Sequence, residues 1–194
     1  MRVKDALGLF EDNYVGRKLI LHVLELLLHT EKSIGLDIFL YLEYDLSDAL
    51  LDEIERLRYE YEVLMKPLAY VLGYELFCGE RFEVDENVLI PRAETEYVVK
   101  YAVDSLQRMI DGFHQERKNI LIDVGTGSGC VGISIMKECG DYFDRCYLLD
   151  ISKEALKVAE RNSTRILEEM GGSNEKVECL ESDLLESLPL TIND

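Results

Sequence analysis

Two residue types in the second half of the chain have the spacing needed for ligand chemistry: glycines that bare the backbone, and aspartates that end apolar runs. The stretch LIDVGTGSGCVGISI, Leu121 to Ile135, carries Gly125, Gly127 and Gly129 at alternate positions between two apolar segments. Such a turn lets backbone approach a ligand, and at a helix N-terminus its N–H groups favour an anion. The spacing is not the dinucleotide fingerprint, whose third glycine would fall at Cys130, and no Gly-Lys-Ser/Thr follows to make a phosphate loop. The pattern is instead Asp-x-Gly-x-Gly-x-Gly from Asp123, so an acid at the strand end offers a cation a place beside the anion site. A ligand holding both a carboxylate and a positively charged amine or sulfonium suits that pairing, and S-adenosylmethionine is such a ligand.

Two further acids fall where the same ligand would need them. Asp150 ends the next apolar run, CYLLD, about 20 residues on, where a carboxylate accepts both hydroxyls of a ribose. The third run ends in ESDLL, placing Asp183 and Leu184 to border an adenine through its amino group and apolar face. Plainer readings stand beside these. Asp150 has the place of a helix cap with Ser152, Asp183 that of a turn residue, and the glycines that of a tight strand-to-helix turn. Cys130 reads as a small buried residue, and the tyrosines as packing.

These residues need a frame, and the chain predicts one. From Asn119 the order is strand, helix, strand, helix, strand: Ile120–Val124, Cys130–Glu138, Cys146–Leu149, Lys153–Met170 and Val177–Leu180. That alternation implies parallel strands with crossover helices, whose carboxyl edge is where open α/β sheets bind ligands. Before it, Tyr74 to Cys78 and Arg81 to Val84 read as two strands around a Gly79-Glu80 turn. VLIPRAETE leads into a helix with Glu94 and Glu96 in its first turn, the favourable sign there. Residues 1 to about 66 read as a small helical bundle. One helix spans Tyr14 to Thr30 and a brief one Ile38 to Leu42. A second long helix is capped by Ser47, stapled by Leu46 and striped by Leu50, Ile54, Leu57, Tyr61 and Leu64.

The totals narrow the classes. The net charge is -18 and no segment is basic, which weighs against a nucleic-acid surface and leaves solubility or a positively charged macromolecular partner as the use of the acid. The longest apolar run, Leu19 to Leu28, is broken by His22 and Glu25 and falls short of the roughly 18 residues a membrane span needs. The N-terminus turns acidic where a signal peptide would be apolar. Five cysteines, odd in number and without a Cys-x-x-Cys pair, read as reduced thiols in a cytoplasmic protein, and no metal site is expected.

KPLAYVLGYELFCGERFEVDENVLIPRAETEYVV (Lys66 to Val99), followed by the glycine stretch, resembles the HemK-like family, the release factor glutamine methyltransferases. The likeness runs through nearly the whole chain, and LIPRAETE is its more specific part. The family usually has proline where Ala93 stands and glutamine where Ala69 stands.

The resemblance implies a class I S-adenosylmethionine-dependent methyltransferase, α/β and Rossmann-like. Residues 1–66 would be a helical domain that binds the release factor, 67–92 a hairpin linker, and 93–194 the N-terminal half of the methyltransferase domain. It implies that Gly125, Thr126, Gly127, Ser128 and Gly129, with Asp123, cradle S-adenosylmethionine, that Asp150 holds the ribose, and that Asp183 and Leu184 border the adenine. The implied reaction is methylation of the side-chain amide nitrogen of the glutamine in a Gly-Gly-Gln loop. The partner is a peptide chain release factor, so nucleic acid is met only through the ribosomal machinery. The family's Asn-Pro-Pro-Tyr motif is missing: the only prolines are Pro67, Pro91 and Pro189. The chain is therefore expected to be a truncated form that ends after the third strand, with no catalytic residue of its own and with an open apolar strand edge. Two rival readings are an adenine-amino methyltransferase acting on DNA or ribosomal RNA, and a non-catalytic module that binds cofactor or partner.

Overall fold

A computed structural model describes Asp5, Asp45 and residues 47–110, 119–169 and 174–189. The chain divides into two compact units, Met1–Leu72 and Gly73–Asp194. The expected helices at Tyr14 to Thr30 and Ile38 to Leu42, and the Leu46 staple, lie outside the described residues.

In the first unit, α1 (Asp48–Arg58) begins at Ser47, whose carbonyl accepts the Leu51 N–H at 3.0 Å. Ser47 stands at the cap as expected, but its side chain makes no capping bond. Ile54 and Leu57 form the buried stripe, and Arg56 on the opposite face bonds Glu53 and Glu60, each at 2.6 Å. The stripe then fails. Tyr59–Val63 is a π turn, closed by Leu64 N–H to the Tyr59 carbonyl at 3.1 Å. A π turn takes an extra residue per revolution and so rotates the residues after it about the helix axis. Leu64, expected on the inner stripe, is 50% exposed. A short helix, α2 (Leu68–Leu72), completes the described part of this unit and buries Ala69, Val71 and Leu72.

The second unit opens on a hairpin, β1 (Tyr74–Phe77) and β2 (Glu80–Glu83), paired antiparallel with Phe77 opposite Glu80. The two turn residues are Cys78 and Gly79, both left-handed at φ 49 and 78. The expected turn at Gly79-Glu80 is thus corrected by one residue. Two-residue hairpins match strand twist only with positive φ at both centres, so Cys78 is drawn into the turn and Glu80 into the strand. Phe77 and Phe82 are fully buried and meet edge to face, with ring centroids 5.9 Å apart.

A 3-10 turn, Ala93–Thr95, leads into α3 (Glu96–Ile110), where the Glu96 carboxylate accepts the Cys78 N–H at 2.9 Å. Then come β3 (Ile120–Val124), α4 (Cys130–Cys139), β4 (Arg145–Asp150), α5 (Lys153–Glu169) and β5 (Val177–Glu181). The strands are parallel in the order β3-β4-β5, with Val124 opposite Leu149 and Leu149 opposite Leu180. This is the expected α/β, Rossmann-like alternation. Successive right-handed crossovers in one direction place α4 and α5 on the same face of the sheet. There Leu121, Cys146, Leu148, Val177 and Cys179 join Ile133, Met136, Ala159 and Ile166 in the core. Among the described residues β3 pairs only with β4, and its outer edge is open. No described helix is long and apolar enough to cross a membrane.

Candidate functional site

The parallel register carries the tips of the three strands to one edge, and the ladder continues past the strands themselves. Thr126 N–H donates to the Leu149 carbonyl at 2.8 Å, and Ser182 N–H to the Asp150 carbonyl at 2.9 Å. The segments after β3 and β5 are therefore laced to the end of β4, which brings Asp123, Asp150 and Asp183 to one edge.

The loop after β3 is built on left-handed backbone: Gly125, Gly127 and Gly129 have φ of 71, 55 and 82. A side chain would strain each by about 1–2 kcal/mol. Gly129 N–H closes the turn onto the Thr126 carbonyl at 2.9 Å, and the Gly129 carbonyl accepts the first helical bond, from Ile133, at 2.9 Å. Asp123 braces the loop from within. Its Oδ2 accepts the Thr126 hydroxyl at 2.8 Å and the Gly132 N–H at 3.0 Å, so one oxygen of the acid expected to face a cation is engaged by the protein. Thr126 and Ser128 are buried, 6% and 2% exposed, and so point into the fold. Outward, a Cβ added at Gly125 or Gly127 meets nothing within 4 Å. The backbone at these positions faces open space.

Asp150 joins the second strand tip to that loop. Its Oδ2 accepts the Gly127 N–H at 2.9 Å, and its Oδ1 the Ser152 N–H at 2.9 Å. Ser152, not Asp150, caps α5: its hydroxyl accepts the Ala155 N–H at 3.2 Å. A carboxylate offers about four acceptor positions, so two bonds leave room for two ribose hydroxyls. Asp183 and Leu184 stand at the third tip, both exposed, with Leu184 left-handed at φ 51. The Asp183 carbonyl accepts the Glu186 N–H at 3.2 Å, so its backbone starts a turn while its side chain meets solvent. Helices α4 and α5 both begin at this edge and direct their positive ends to it. Glycine backbone facing open space, a carboxylate with spare lone pairs and an apolar side chain at the third tip fit a nucleoside bearing a charged amino-acid tail.

The five cysteines are free thiols. Burial pushes Cys130 up to about 11, although it lies next to the loop, so it is no ready nucleophile. One residue without a motif to mark it in the sequence bears on this site. Asn162, on α5 and 0% exposed, donates from Nδ2 to the Ser128 carbonyl at 2.9 Å. Its only signal was an amide inside the apolar stripe Ala155, Ala159, Asn162, Ile166, whose members are all 2% exposed or less.

No protein-family model matches the chain. Curated relatives do. The release factor glutamine methyltransferase of Leptospira interrogans is 40% identical over 146 residues, 73% of this chain and 47% of that protein. The chain is a relative of the release factor glutamine methyltransferases. The Bacillus subtilis protein of that name is 36% identical over 137 residues, 70% of this chain and 43% of its own. This chain thus spans about half the length of the curated relatives it matches. Among solved structures, the N-terminal domain of human METTL16 in complex with SAH is similar over 84% of this chain and 56% of that one, at 12% identity and a TM-score of 0.43.

Proposed function

We propose that residues 93–194 form the S-adenosylmethionine-binding half of a cytoplasmic methyltransferase domain that modifies a glutamine side chain in the Gly-Gly-Gln loop of a peptide release factor, and so acts in translation termination. In this reading residues 1–66 hold the protein substrate and residues 67–92 link the two. Gly125 to Gly129 hold the amino-acid tail of the cofactor, Asp150 the ribose, and Asp183 with Leu184 the edge of the adenine.

The observation that carries the reading is the bond from Gly127 N–H to Asp150 Oδ2, 2.9 Å long, which makes the glycine cradle and the ribose acceptor one unit. The identity to release factor glutamine methyltransferases supports the choice of substrate. When bound, the cofactor supplies an electrophilic methyl group on a sulfonium. The task left to protein groups is orientation, because an amide nitrogen is a poor nucleophile whose lone pair is shared with its carbonyl. Within this chain the glycine loop and Asp150 fix where the methyl group points. The Asn-Pro-Pro-Tyr sequence that would hold the acceptor amide does not occur in these 194 residues.

Calorimetric titration of the chain with S-adenosylmethionine tests the first half of the proposal, with saturable one-to-one binding expected. Methyl transfer to a purified release factor by a polypeptide as long as the relatives tests the second. Transfer to nucleic acid in place of the release factor would overturn the choice of substrate.

A further inference from the structure

We propose that Asn162 is the positioning residue of the glycine loop, tying it to the hairpin so that the two hold one conformation. The proposal rests on the reading of that loop as a cofactor cradle.

The carboxamide of Asn162 uses both ends. Oδ1 accepts the Glu83 N–H at 2.7 Å, and Nδ2 donates to the Glu83 carbonyl at 3.0 Å and the Ser128 carbonyl at 2.9 Å. The first two bonds copy what a neighbouring strand would give Glu83, the last residue of β2. Pairing with β1 leaves that residue's N–H and C=O on the outer edge of the hairpin, since the adjacent Val84 N–H turns inward to the Gly73 carbonyl at 2.9 Å. The third bond reaches the carbonyl of Ser128, the residue between two left-handed glycines, Gly127 and Gly129. The peptide that carries it leads into Gly129, where the absence of a Cβ leaves φ little restricted, so an external donor fixes its orientation. Asn162 is fully buried, where an unmet carbonyl is costly.

The surroundings show that α5 is the carrier. Arg165, nearly one turn on, donates to the Arg81 carbonyl, and Arg161 pairs with Glu83 at 2.9 Å, so successive positions of one helix grip β2. A turn earlier, Ala159 lies where a Cβ on Gly129 would come within 3.4 Å. One helix thus contacts hairpin and loop together, and only Asn162 among these residues bonds both.

The test compares Asn162→Asp with Ile166→Ala in the 194-residue chain. The first keeps the acceptor for Glu83 N–H but sets an oxygen against two carbonyls. The second truncates a core residue one turn away, 2% exposed, with no bond to the loop, and controls for lost stability. Hydrogen exchange of the Glu83 and Gly129 amides is expected to quicken about tenfold more in Asn162→Asp than in Ile166→Ala. Affinity for S-adenosylhomocysteine is expected to fall about tenfold in the first variant alone, the size of one lost buried hydrogen bond. Equal exchange at Gly129 in the two variants, or undiminished affinity in folded Asn162→Asp, overturns the proposal. A native chain that does not bind the compound overturns the cofactor reading instead, and the exchange comparison then decides the clamp by itself. Asn162→Ser, which removes both arms without adding charge, carries the same comparison where the acid prevents folding.

Discussion

β3 and β4 lie side by side over five paired residues, and both are mostly apolar, yet they live in different surroundings. On the face away from α4 and α5, Leu149 of β4 is 0% exposed, whereas Val124, its register partner in β3, is 45% exposed, with Ile120 and Ile122 of the same face at 53% and 40%. Position explains the difference. β4 has a strand on either side, while β3 has one neighbour among the described residues and helices only on the face of Leu121 and Asp123. Strands of parallel sheets are apolar on both faces because they are ordinarily covered on both. β3 therefore has the composition of an interior strand in an edge setting. The lesson is that an apolar run reports what a strand is suited to, not what lies next to it.

Four measurements would break or sharpen that contrast. Leu148→Ala in β4 is expected to cost about 2–5 kcal/mol in a denaturant titration, the range for a truncated buried leucine. The thiols give the next effect. Burial pushes Cys179 to about 11 and Cys146 to about 12, from an ordinary value of 9.0. The folded chain then keeps protons that the unfolded chain releases near 9, so stability should fall as pH rises from about 9 towards 12, with a shallower fall in Cys146→Ala. Constant stability across that window would mean that β4 is wetter than its burial indicates. Asp150→Ala, at the tip of β4, removes the acceptor for the β3 loop and is expected to weaken S-adenosylmethionine binding by about 1.5–3 kcal/mol by calorimetry. The smallest effect belongs to β3. Ile122→Thr should change stability by no more than about 1 kcal/mol in the same denaturant titration.

Much of this molecule can be read from its residues. The alternation after Asn119 predicted three strands and two helices because apolar runs there are separated by strong turn signals, and the glycine loop sits where those signals put it. What escaped was decided by geometry that spacing does not encode. The hairpin turn slipped by one residue because Cys78 accepts a left-handed conformation usual for glycine or asparagine. The α1 stripe lost Leu64 because a π turn, invisible in the pattern of leucines, shifted its phase. At the site, the positions of Asp123, Asp150 and Asp183 at strand ends were legible, but their partners were not. Asp150 holds backbone of the glycine loop, and Asp123 holds the Thr126 hydroxyl of that loop and the backbone of α4. Asn162 carried no motif, since its three bonds reach positions 34 and 79 residues away.

The acidic rim of the strand tips has a consequence for turnover. On the proposed reading, the methyl donor arrives with a net positive charge at its sulfonium, and the demethylated product leaves without it. The chain carries a charge of -18, and two of those carboxylates, on Asp150 and Asp183, stand at the strand tips. Long-range attraction therefore acts on the incoming molecule and not on the spent one, which favours exchange of product for fresh donor. Added salt shortens the reach of that attraction from about 30 Å at 0.01 M to about 8 Å at 0.15 M, and so should erode donor capture while leaving product release unchanged.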